Sequence, residues 1–318
     1  MNGVQSIVHQ KKPWYTRVIY HFKRNWQLHL LALPCLAYLI IFHYWPMFGL
    51  TMAFENYSPA KGFFHSEFVG LKNFEFLFAT QDAWRITRNT VCYNVVFMVL
   101  QTSLSVLVAI VFNELYFKRL AKTLQTMLIM PNFLSMAVIG IAVSAFLNTS
   151  NGMVNQLLKS LGMKTRNWYT YKAVWPYILV LVRMWKDVGY GAIVYVASIS
   201  GISQEYYEAA VLDGATKVQQ ARYVTLPHLR HIITIMLILN MGSLFRGDFG
   251  LFYNVTQNNG ALYPVTDVID TYIYRALTTL NNTGMSAAAG FYQSVVGFVL
   301  IILSNLVVRR IDEESALF

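Results

Sequence analysis

The fold class is decided by residues 89–113, which read NTVCYNVVFMVLQTSLSVLVAIVFN. None of these 25 positions is Asp, Glu, Lys or Arg. About 20 apolar residues in a helix are enough to cross the hydrocarbon core of a bilayer. A helix also satisfies its own backbone hydrogen bonds in lipid, where no water is present to do so. The stretch therefore predicts a membrane-spanning helix.

The composition of the whole chain agrees with a lipid environment. Of its 318 residues, 56% are hydrophobic and 13% are charged, whereas about a quarter of the residues of a soluble domain are charged. The net charge is +10, but Lys and Arg gather at the ends of apolar runs and do not form the basic face that nucleic-acid binding requires. Cys35 and Cys92 each lie inside an apolar run, so neither a disulfide framework nor a zinc site is expected.

Five further apolar runs extend the pattern on both sides of the first. Together they predict an all-α integral membrane protein with six transmembrane helices at residues 28–50, 89–113, 124–147, 173–200, 230–254 and 286–308. The run at 28–50 is too long for a signal peptide and has no small-residue cleavage site after it, so we expect a retained helix. Lys and Arg are more frequent in alternate connecting segments, which predicts that the N and C termini are both cytoplasmic.

These spans divide the chain into successive regions. We expect a cytoplasmic N-terminal segment at 1–26, a first transmembrane helix at 27–50, an external loop at 51–84, a transmembrane domain at 85–305 and a cytoplasmic tail at 306–318. The connection at 202–227 follows the fourth crossing, so it is expected on the cytoplasmic side.

The 202–227 segment is too polar to span and has the composition of two short helices. Ser203 is suited to an N-cap, and Gly214 to the left-handed conformation that ends a helix. A second helix is expected to stop before Pro227, because proline disfavours helix at the preceding residue. A rigid element of this kind suits mechanical coupling, whereas an amphipathic helix lying on the membrane is equally compatible with the pattern.

The same segment resembles a known signature: Glu-Ala-Ala, three residues, Gly, nine residues, then Ile-x-Leu-Pro. This signature is typical of permease subunits of binding-protein-dependent ATP-binding-cassette (ABC) importers. The matching residues, which the resemblance assigns to ATPase coupling, are Glu208, Ala209, Ala210, Asp213, Gly214, Leu226 and Pro227. Val224 stands in place of the usual Ile, and Ala221 where an aromatic residue is common. The context of Asp213 and Gly214 resembles the carbohydrate branch of these permeases.

The resemblance implies a fold and a set of partners. The fold is the type I ABC importer permease fold, with 85–305 as the permease domain and 202–227 as the segment that docks on the ATPase. The partners are a second permease subunit, giving a heterodimer, two cytoplasmic ATPase subunits that hold ATP and Mg, and an external solute-binding protein. The chain itself would be a non-catalytic subunit in the bacterial cytoplasmic membrane.

Two other stretches bear on the solute and on the energy source. Residues 247–254 and 267–275 are similar to polysaccharide or aldouronate permeases, which implies an oligosaccharide and includes acidic ones among the candidates. No Gly-x-x-x-x-Gly-Lys phosphate loop occurs, so ATP hydrolysis is expected from another chain.

His228 and His231 have a spacing compatible with metal binding on a helix, but they lack a carboxylate partner, and no metal or other cofactor is predicted for this chain.

Charged residues inside spanning helices are expensive and are functional candidates. With neighbouring aromatic residues, they give the predicted substrate-path candidates Arg183, Trp185, Lys186, Asp187, Tyr190, Arg246, Asp248 and Tyr253. Charged groups bind sugar hydroxyls or a uronate carboxylate, and rings stack on sugar faces. The alternative is that Arg183 and Asp187, four residues apart, neutralise each other, and that Arg246 and Asp248 do the same.

A different class of transporter is also compatible with part of the sequence. A proton- or ion-coupled secondary carrier would use Asp187 or Asp248 as its coupling carboxylate. This alternative leaves the signature between Glu208 and Pro227 unexplained. Uptake that depends on ATPase subunits separates the importer from the secondary carrier.

Overall fold

The computed structural model describes residues 23–62, 65–75, 80–115 and 117–311. Most of the predicted N-terminal segment 1–26 and the last residues of the predicted tail 306–318 lie outside the described residues. The chain divides into two compact units, Met1–Thr51 and Met52–Phe318. Apart from one antiparallel pair of two-residue strands, β1 (Glu55–Asn56) and β2 (Glu67–Phe68), the described elements are helical.

Twelve α-helices make up most of the described chain. They are α1 (Trp26–Leu39), α2 (Gln81–Glu114), α3 (Lys118–Ile129), α4 (Met136–Leu147), α5 (Met153–Ser160), α6 (Trp175–Ser200), α7 (Gln204–Leu212), α8 (Lys217–Gln220), α9 (Leu226–Met241), α10 (Tyr263–Thr266), α11 (Ile269–Thr278) and α12 (Thr283–Ile311). Short 3₁₀ turns lie at Trp45–Phe54, Lys72–Phe74, Met130–Phe133, Trp168–Thr170, Lys172–Val174 and Gly260–Leu262. Wide π-type turns lie at Ile40–Tyr44, Ala221–Thr225 and Leu251–Val255.

Among the described residues, four helical stretches are long and apolar enough to cross a membrane. They are Trp26–Phe54, Gln81–Glu114, Lys217–Met241 and Thr283–Arg310. A fifth is obtained if the bent pair Arg119–Phe133 and Met136–Leu147 forms one span. Helix α6 has 26 residues, but its middle carries Arg183, Lys186 and Asp187, so it is not among the apolar spans. The structure is therefore all-helical with four or five apolar spans.

The prediction of one continuous helix at 124–147 is wrong. The two helices on either side of residue 134 are bent by 96° with respect to each other. Pro131 has no N–H to donate within the helix, and Leu134 is extended, with ψ of 135°. Ser135 then starts α4 as its N-cap, because its hydroxyl oxygen accepts a hydrogen bond from Val138 N at 3.3 Å. The proline and the capping serine together break this span.

The predicted helix at 230–254 is also interrupted. Helix α9 ends at Met241, and the wide turn at Leu251–Val255 begins only after a break. A Cβ atom at Gly247 would lie 2.8 Å from the Val268 side chain and 2.9 Å from Asp270, so only glycine lets the chain pass this close to α11. Arg246 and Asp248 therefore lie in the break, and not inside a continuous spanning helix as predicted.

The helix after Gly214 does not stop before Pro227, contrary to prediction. Helix α8, the turn Ala221–Thr225 and α9 form one continuous stretch, Lys217–Met241. Pro227 lies in the first turn of α9, directly after the wide turn. In a first turn the missing N–H of proline costs little, which explains why the helix continues. The predicted helix at 173–200 agrees with α6 within two residues.

Helices α2 and α6 pack along each other and form the centre of the second unit. Tyr93 and Phe97 of α2 are buried with Leu179 of α6 and Phe252. On another side of α6, a Cβ atom at Gly189 would lie 1.9 Å from the Leu128 carbonyl oxygen. The absence of a side chain there lets the end of α3 contact α6 backbone to backbone.

Replacement of Gly189 by alanine is expected to lower the free energy of unfolding by about 3 kcal/mol, since overpacking against backbone forces the helices apart. Gly290→Ala in α12 is the matched control, because a Cβ atom there meets no other atom within 4 Å. The measurement is the thermal unfolding midpoint of each purified variant in detergent. Equal midpoints for the two variants would contradict the close approach of α3 and α6.

Candidate functional site

The 202–227 segment forms the first of the two predicted short helices, α7, whereas the second, α8, continues into α9. Ser203 is the N-cap of α7, and its hydroxyl oxygen accepts from Glu205 N at 3.4 Å. Gly214 ends the helix in the left-handed conformation, with φ of +76°. Thr216 then opens α8 through reciprocal hydrogen bonds with Gln219, at 2.7 and 3.4 Å. Both ends of α7 are thus fixed by local hydrogen bonding.

Side chains also attach α7 and α8 to the long helices. The hydroxyl groups of Tyr207 and Thr225 lie 3.0 Å apart, which joins α7 to the turn before α9. Lys217 Nζ lies 3.0 Å from the carboxylate of Glu114 at the end of α2. These contacts attach α7 to the turn before α9, and α8 to the end of α2.

The outer side of the segment presents several apolar side chains to the surroundings. These exposed residues are Tyr206, Val211, Leu212, Val218 and Tyr223. Leu212 is 88% exposed, and Glu208 is also exposed, at a groove of about 750 Å³ between α7 and the ends of α2 and α6. Several exposed apolar side chains within one short segment, beside charged groups, are compatible with a protein contact.

The other signature residues lie along the same surface. Ala209, Asp213 and Pro227 are exposed, and Ala210 is half-buried. Leu226 is 39% exposed. The structure therefore brings the predicted coupling residues onto one continuous element from α7 to the start of α9.

A second polar group is centred on three charged residues in the middle of α6 and includes two residues from the breaks near Pro131 and after α9. We call it the α6 cluster, and it consists of Asn132, Arg183, Lys186, Asp187 and Asp248. Arg183 Nε lies 2.7 Å from Asp187 Oδ2, as its i, i+4 spacing predicts, and Arg183 Nη1 contacts the carboxylate of Asp248. Arg246 does not pair with Asp248, because the break places Asp248 against α6. One guanidinium thus serves two carboxylates.

The α6 cluster holds the ends of both interrupted helices. Lys186 Nζ donates to the carbonyl oxygens of Asn132 and Leu134, at 2.6 and 2.8 Å, where the α3 stretch ends. Asp248 Oδ1 accepts from Leu251 N at 3.0 Å, where the segment 249–255 begins. A cation at a helix C-terminus and an anion at an N-terminus are both favourable. The two charges therefore stabilise the breaks.

The remaining substrate-path candidates do not join the α6 cluster. Trp185 is exposed and lines an apolar groove of about 350 Å³ against α4. Tyr190 is also exposed, whereas Tyr253 is half-buried and stacks on another ring. Arg246 is exposed, and its guanidinium has no ion pair within 4 Å among the described residues. The eight candidates are thus divided between a paired cluster and separate positions that are exposed or half-buried.

Sequence reasoning missed a buried charge cluster near the start of α2. The side chain of Asp267 is wholly buried, and its carboxylate lies 3.1 Å from Arg85 and 2.7 Å from Arg275. Asn89 donates to the Asp267 carbonyl oxygen at 3.0 Å. The ion pair with Arg85 joins residues far apart in sequence, so no local spacing signals it. The cluster fixes the chain before α11 against α2.

The sequence analysis also did not single out Asn94, although an Asn inside an apolar helix is a signal in itself. Its side-chain amide donates to the carbonyl oxygens of Leu244 and Arg246, at 2.7 and 2.9 Å. These carbonyl groups belong to the break after α9. Asn inside an apolar helix is a typical interhelical hydrogen-bonding residue, and this reason alone would have made it a candidate.

No group of three or more His, Cys, Asp or Glu residues suited to a metal ion occurs within the described ranges. His228 Nδ1 donates to the Val224 carbonyl oxygen at 2.6 Å, and its ring lies 5.0 Å from that of Tyr206. These contacts give His228 a local structural role. Its spacing from His231 therefore needs no metal to explain it.

Comparison with known proteins identifies the family. The family model described as "Binding-protein-dependent transport system inner membrane component" matches residues 101–313. Protein LplB of Bacillus subtilis (strain 168) is 32% identical over 92% of each chain. The polygalacturonan/rhamnogalacturonan transport system permease protein YteP of the same organism is 29% identical and covers 98% of this chain and 97% of its own.

A solved structure is similar over nearly the whole chain. It is a bacterial alginate ABC transporter in complex with an alginate pentasaccharide-bound periplasmic protein. The matching chain is 31% identical with a TM-score of 0.84, and the alignment covers 93% of this chain and 98% of that one. The similarity in fold and the similarity in sequence to this transporter therefore extend over the same part of the chain.

Arg183→Gln is expected to lower the free energy of unfolding by about 2–3 kcal/mol, because two largely buried carboxylates lose the guanidinium that contacts both of them, while Lys186 is engaged by two carbonyl groups. The matched variant R183Q/D187N/D248N also removes both carboxylates, and the amide oxygen introduced by D248N still accepts from Leu251 N. We expect this variant to recover most of the loss. The measurement is the thermal unfolding midpoint of the wild type and of both purified variants in detergent. A triple variant no more stable than R183Q would show that the charges do not interact as described.

Proposed function

Because the chain belongs to the family of binding-protein-dependent transport system inner membrane components, we propose that it is a permease subunit of an ABC importer that carries a saccharide. The similarity to a polygalacturonan/rhamnogalacturonan permease and to an alginate transporter supports the saccharide. The observation that carries the proposal is the segment α7–α8: α7 presents exposed apolar side chains and is joined to the turn before α9 through Tyr207, and α8 is joined to the end of α2 through Lys217.

The proposed complex contains four kinds of subunit. This chain and a second permease together form the translocation path, and two cytoplasmic ATPase subunits bind ATP and Mg. An external binding protein delivers the saccharide, as the complex of the alginate transporter with its periplasmic protein suggests. This chain hydrolyses no ATP itself.

The proposed membrane arrangement has six spans. Four are apolar stretches, the bent pair α3 and α4 is the fifth, and α6 is the sixth despite its charges. The pairing inside the α6 cluster lowers the cost of placing those charges in a membrane. The N and C termini are then cytoplasmic, with 27–50 as the first span, 51–84 outside, 85–305 as the permease domain and 306–318 as the tail.

Coupling is proposed to begin where α7 docks on an ATPase. The residues that we assign to this contact are Glu208, Ala209, Ala210, Asp213, Gly214, Leu226 and Pro227. A movement of α7 passes to α9 through the contact of Tyr207 with Thr225, and to α2 through the contact of Lys217 with Glu114. The long helices then move relative to one another, which opens or closes the path.

The substrate path is proposed to run beside α6 and the break after α9. Arg183, Lys186, Asp187 and Asp248 hold its walls, because they stabilise the interrupted helices. Trp185, Tyr190, Arg246 and Tyr253 are left to meet the solute. This division follows from the observed pairing of the first four and the separate positions of the others.

The subunit composition is tested by purifying the tagged full-length chain from its native membrane and identifying the proteins that accompany it. We expect a second permease and a cassette ATPase, with ATP hydrolysis stimulated by an oligosaccharide-loaded binding protein. Recovery of this chain alone, together with uptake driven by a proton gradient, would refute the proposal.

Glu208→Gln is expected to reduce ATP-driven uptake by about tenfold, because a charge-assisted contact with the ATPase is lost. The complex should still assemble and hydrolyse ATP, since the Glu208 side chain is exposed. Glu205→Gln on the same helix is the control and should retain uptake. Uptake and hydrolysis are measured together in proteoliposomes, and equal behaviour of the two variants would argue against a coupling role for Glu208.

Gly214→Ala is expected to weaken coupling through the backbone alone. A Cβ atom there meets nothing within 4 Å, but φ is +76°, which costs a residue other than glycine about 1 kcal/mol. The turn after α7 then shifts its orientation on the ATPase. Gly201→Ala, at a negative φ of −86°, is the control. The ratio of sugar molecules imported to ATP hydrolysed should fall for G214A only, and an unchanged ratio would contradict the proposal.

A further inference from the structure

Three aromatic rings form a cluster just beyond the break that follows α9. We call it the ring trio, and it consists of Phe249, Tyr253 and Tyr274. The Phe249 and Tyr253 rings stack with centroids 4.9 Å apart and an interplanar angle of 19°. Tyr274 of α11 lies 5.0 and 5.1 Å from them. Tyr274 is 39% exposed, and the other two are half-buried, so the trio presents ring surface outward.

Arg246 immediately precedes a stretch of chain that lies along the face of α11 carrying Tyr274. Asp270 and Tyr274 are four residues apart on α11, so they share one face of that helix. Asp270 Oδ2 accepts a hydrogen bond from Gly247 N at 2.5 Å, and Tyr274 contacts the rings at 249 and 253. The chain from 246 to 253 thus follows this face, and Arg246 begins it.

The positive charge of Arg246 is available to bind an anionic ligand, in contrast to the positive charges of the α6 cluster. Arg183 is bound by two carboxylates, and Lys186 by two carbonyl groups. Arg246 is exposed and forms no ion pair in the part of the chain that the structure describes. Its nearest anion along α11 is Asp270, whose carboxylate is engaged by Gly247 N and by the Gln293 amide at 2.9 Å. Burial raises the pKa of Asp270, and the nearby Arg246 is among the groups that oppose this rise.

We propose that Arg246 and the ring trio form a subsite for one uronate unit of an acidic oligosaccharide. The apolar face of the pyranose ring packs on the exposed aromatic surface, and the guanidinium binds the carboxylate through two hydrogen bonds. The inference rests on the proposed function and names its substrate class. Alginate, the solute of the similar transporter, is itself an acidic polysaccharide.

The combination of groups favours this ligand over a neutral sugar. Each ring of the trio leaves part of its surface uncovered, which a stacking ligand requires. A neutral sugar offers no anion to Arg246, but a uronate unit carries both an apolar ring face and a carboxylate. The fork of Arg fits a planar carboxylate better than the single ammonium of Lys does.

The test uses the complete transporter in proteoliposomes with its binding protein and trigalacturonate as the probe, at a subsaturating concentration. Arg246→Gln should reduce uptake by about tenfold, because a charge-assisted pair is lost, and Arg246→Lys should cause a smaller loss of about threefold, because it keeps the charge but not the fork. Tyr274→Leu should reduce uptake by about three- to tenfold through lost stacking, whereas Tyr274→Phe should not.

Several results would overturn the subsite. Equal losses for R246Q and R246K would deny a role for the charge. A loss of complex assembly in Y274L would assign the rings to packing. If the wild type takes up trigalacturonate in an ATP-dependent manner and all four variants take it up at the same rate, the proposed subsite is wrong and the proposed function is retained. If the wild type shows no ATP-dependent uptake of trigalacturonate, the uronate subsite is wrong, and ATP-dependent uptake of a neutral oligosaccharide then decides whether the saccharide assignment in the proposed function is retained.

Discussion

The structure depends on one constraint: in lipid, every backbone group that a helix break releases must find a partner inside the protein. The described part of the chain has two such breaks inside apolar stretches, near Pro131 and between α9 and residue 249. Lys186 binds the carbonyl groups at the first, and Asn94 binds those at the second. Asp248 accepts the N–H of Leu251 beyond it. The polar residues inside the spans are therefore placed where backbone hydrogen bonds are missing.

This constraint makes α6 the element on which the others are assembled. Its charges hold the two interrupted helices, its Gly189 admits the backbone of α3, and its length packs along α2. The same helix ends at Ser200, directly before α7. The proposed site of ATPase contact and the proposed walls of the path thus belong to one continuous stretch of chain. A movement applied at α7 reaches the breaks through α6 as well as through α9.

Local signals predicted much of this arrangement. The length of the apolar runs placed the helices, and the residue types at Ser203 and Gly214 placed the ends of α7, because capping depends on a few neighbouring residues. The breaks were not predicted, since membrane helices tolerate Pro and Gly and apolar composition continues through both interruptions. The contact of Arg183 with Asp248 links residues 65 positions apart, so it depends on tertiary packing that no spacing rule reports.

The pairing of charges also bears on how an acidic solute would pass, given the proposed function. Arg183 and Lys186 are balanced by Asp187 and Asp248, so the α6 cluster has no net charge and does not retain an anion. Net attraction then comes from Arg246 alone among the path candidates. A translocation path must bind its solute strongly enough for entry and weakly enough for release. One available cation beside an aromatic surface, next to a neutral wall, meets both requirements, whereas several unpaired cations would hold a polyanion in place.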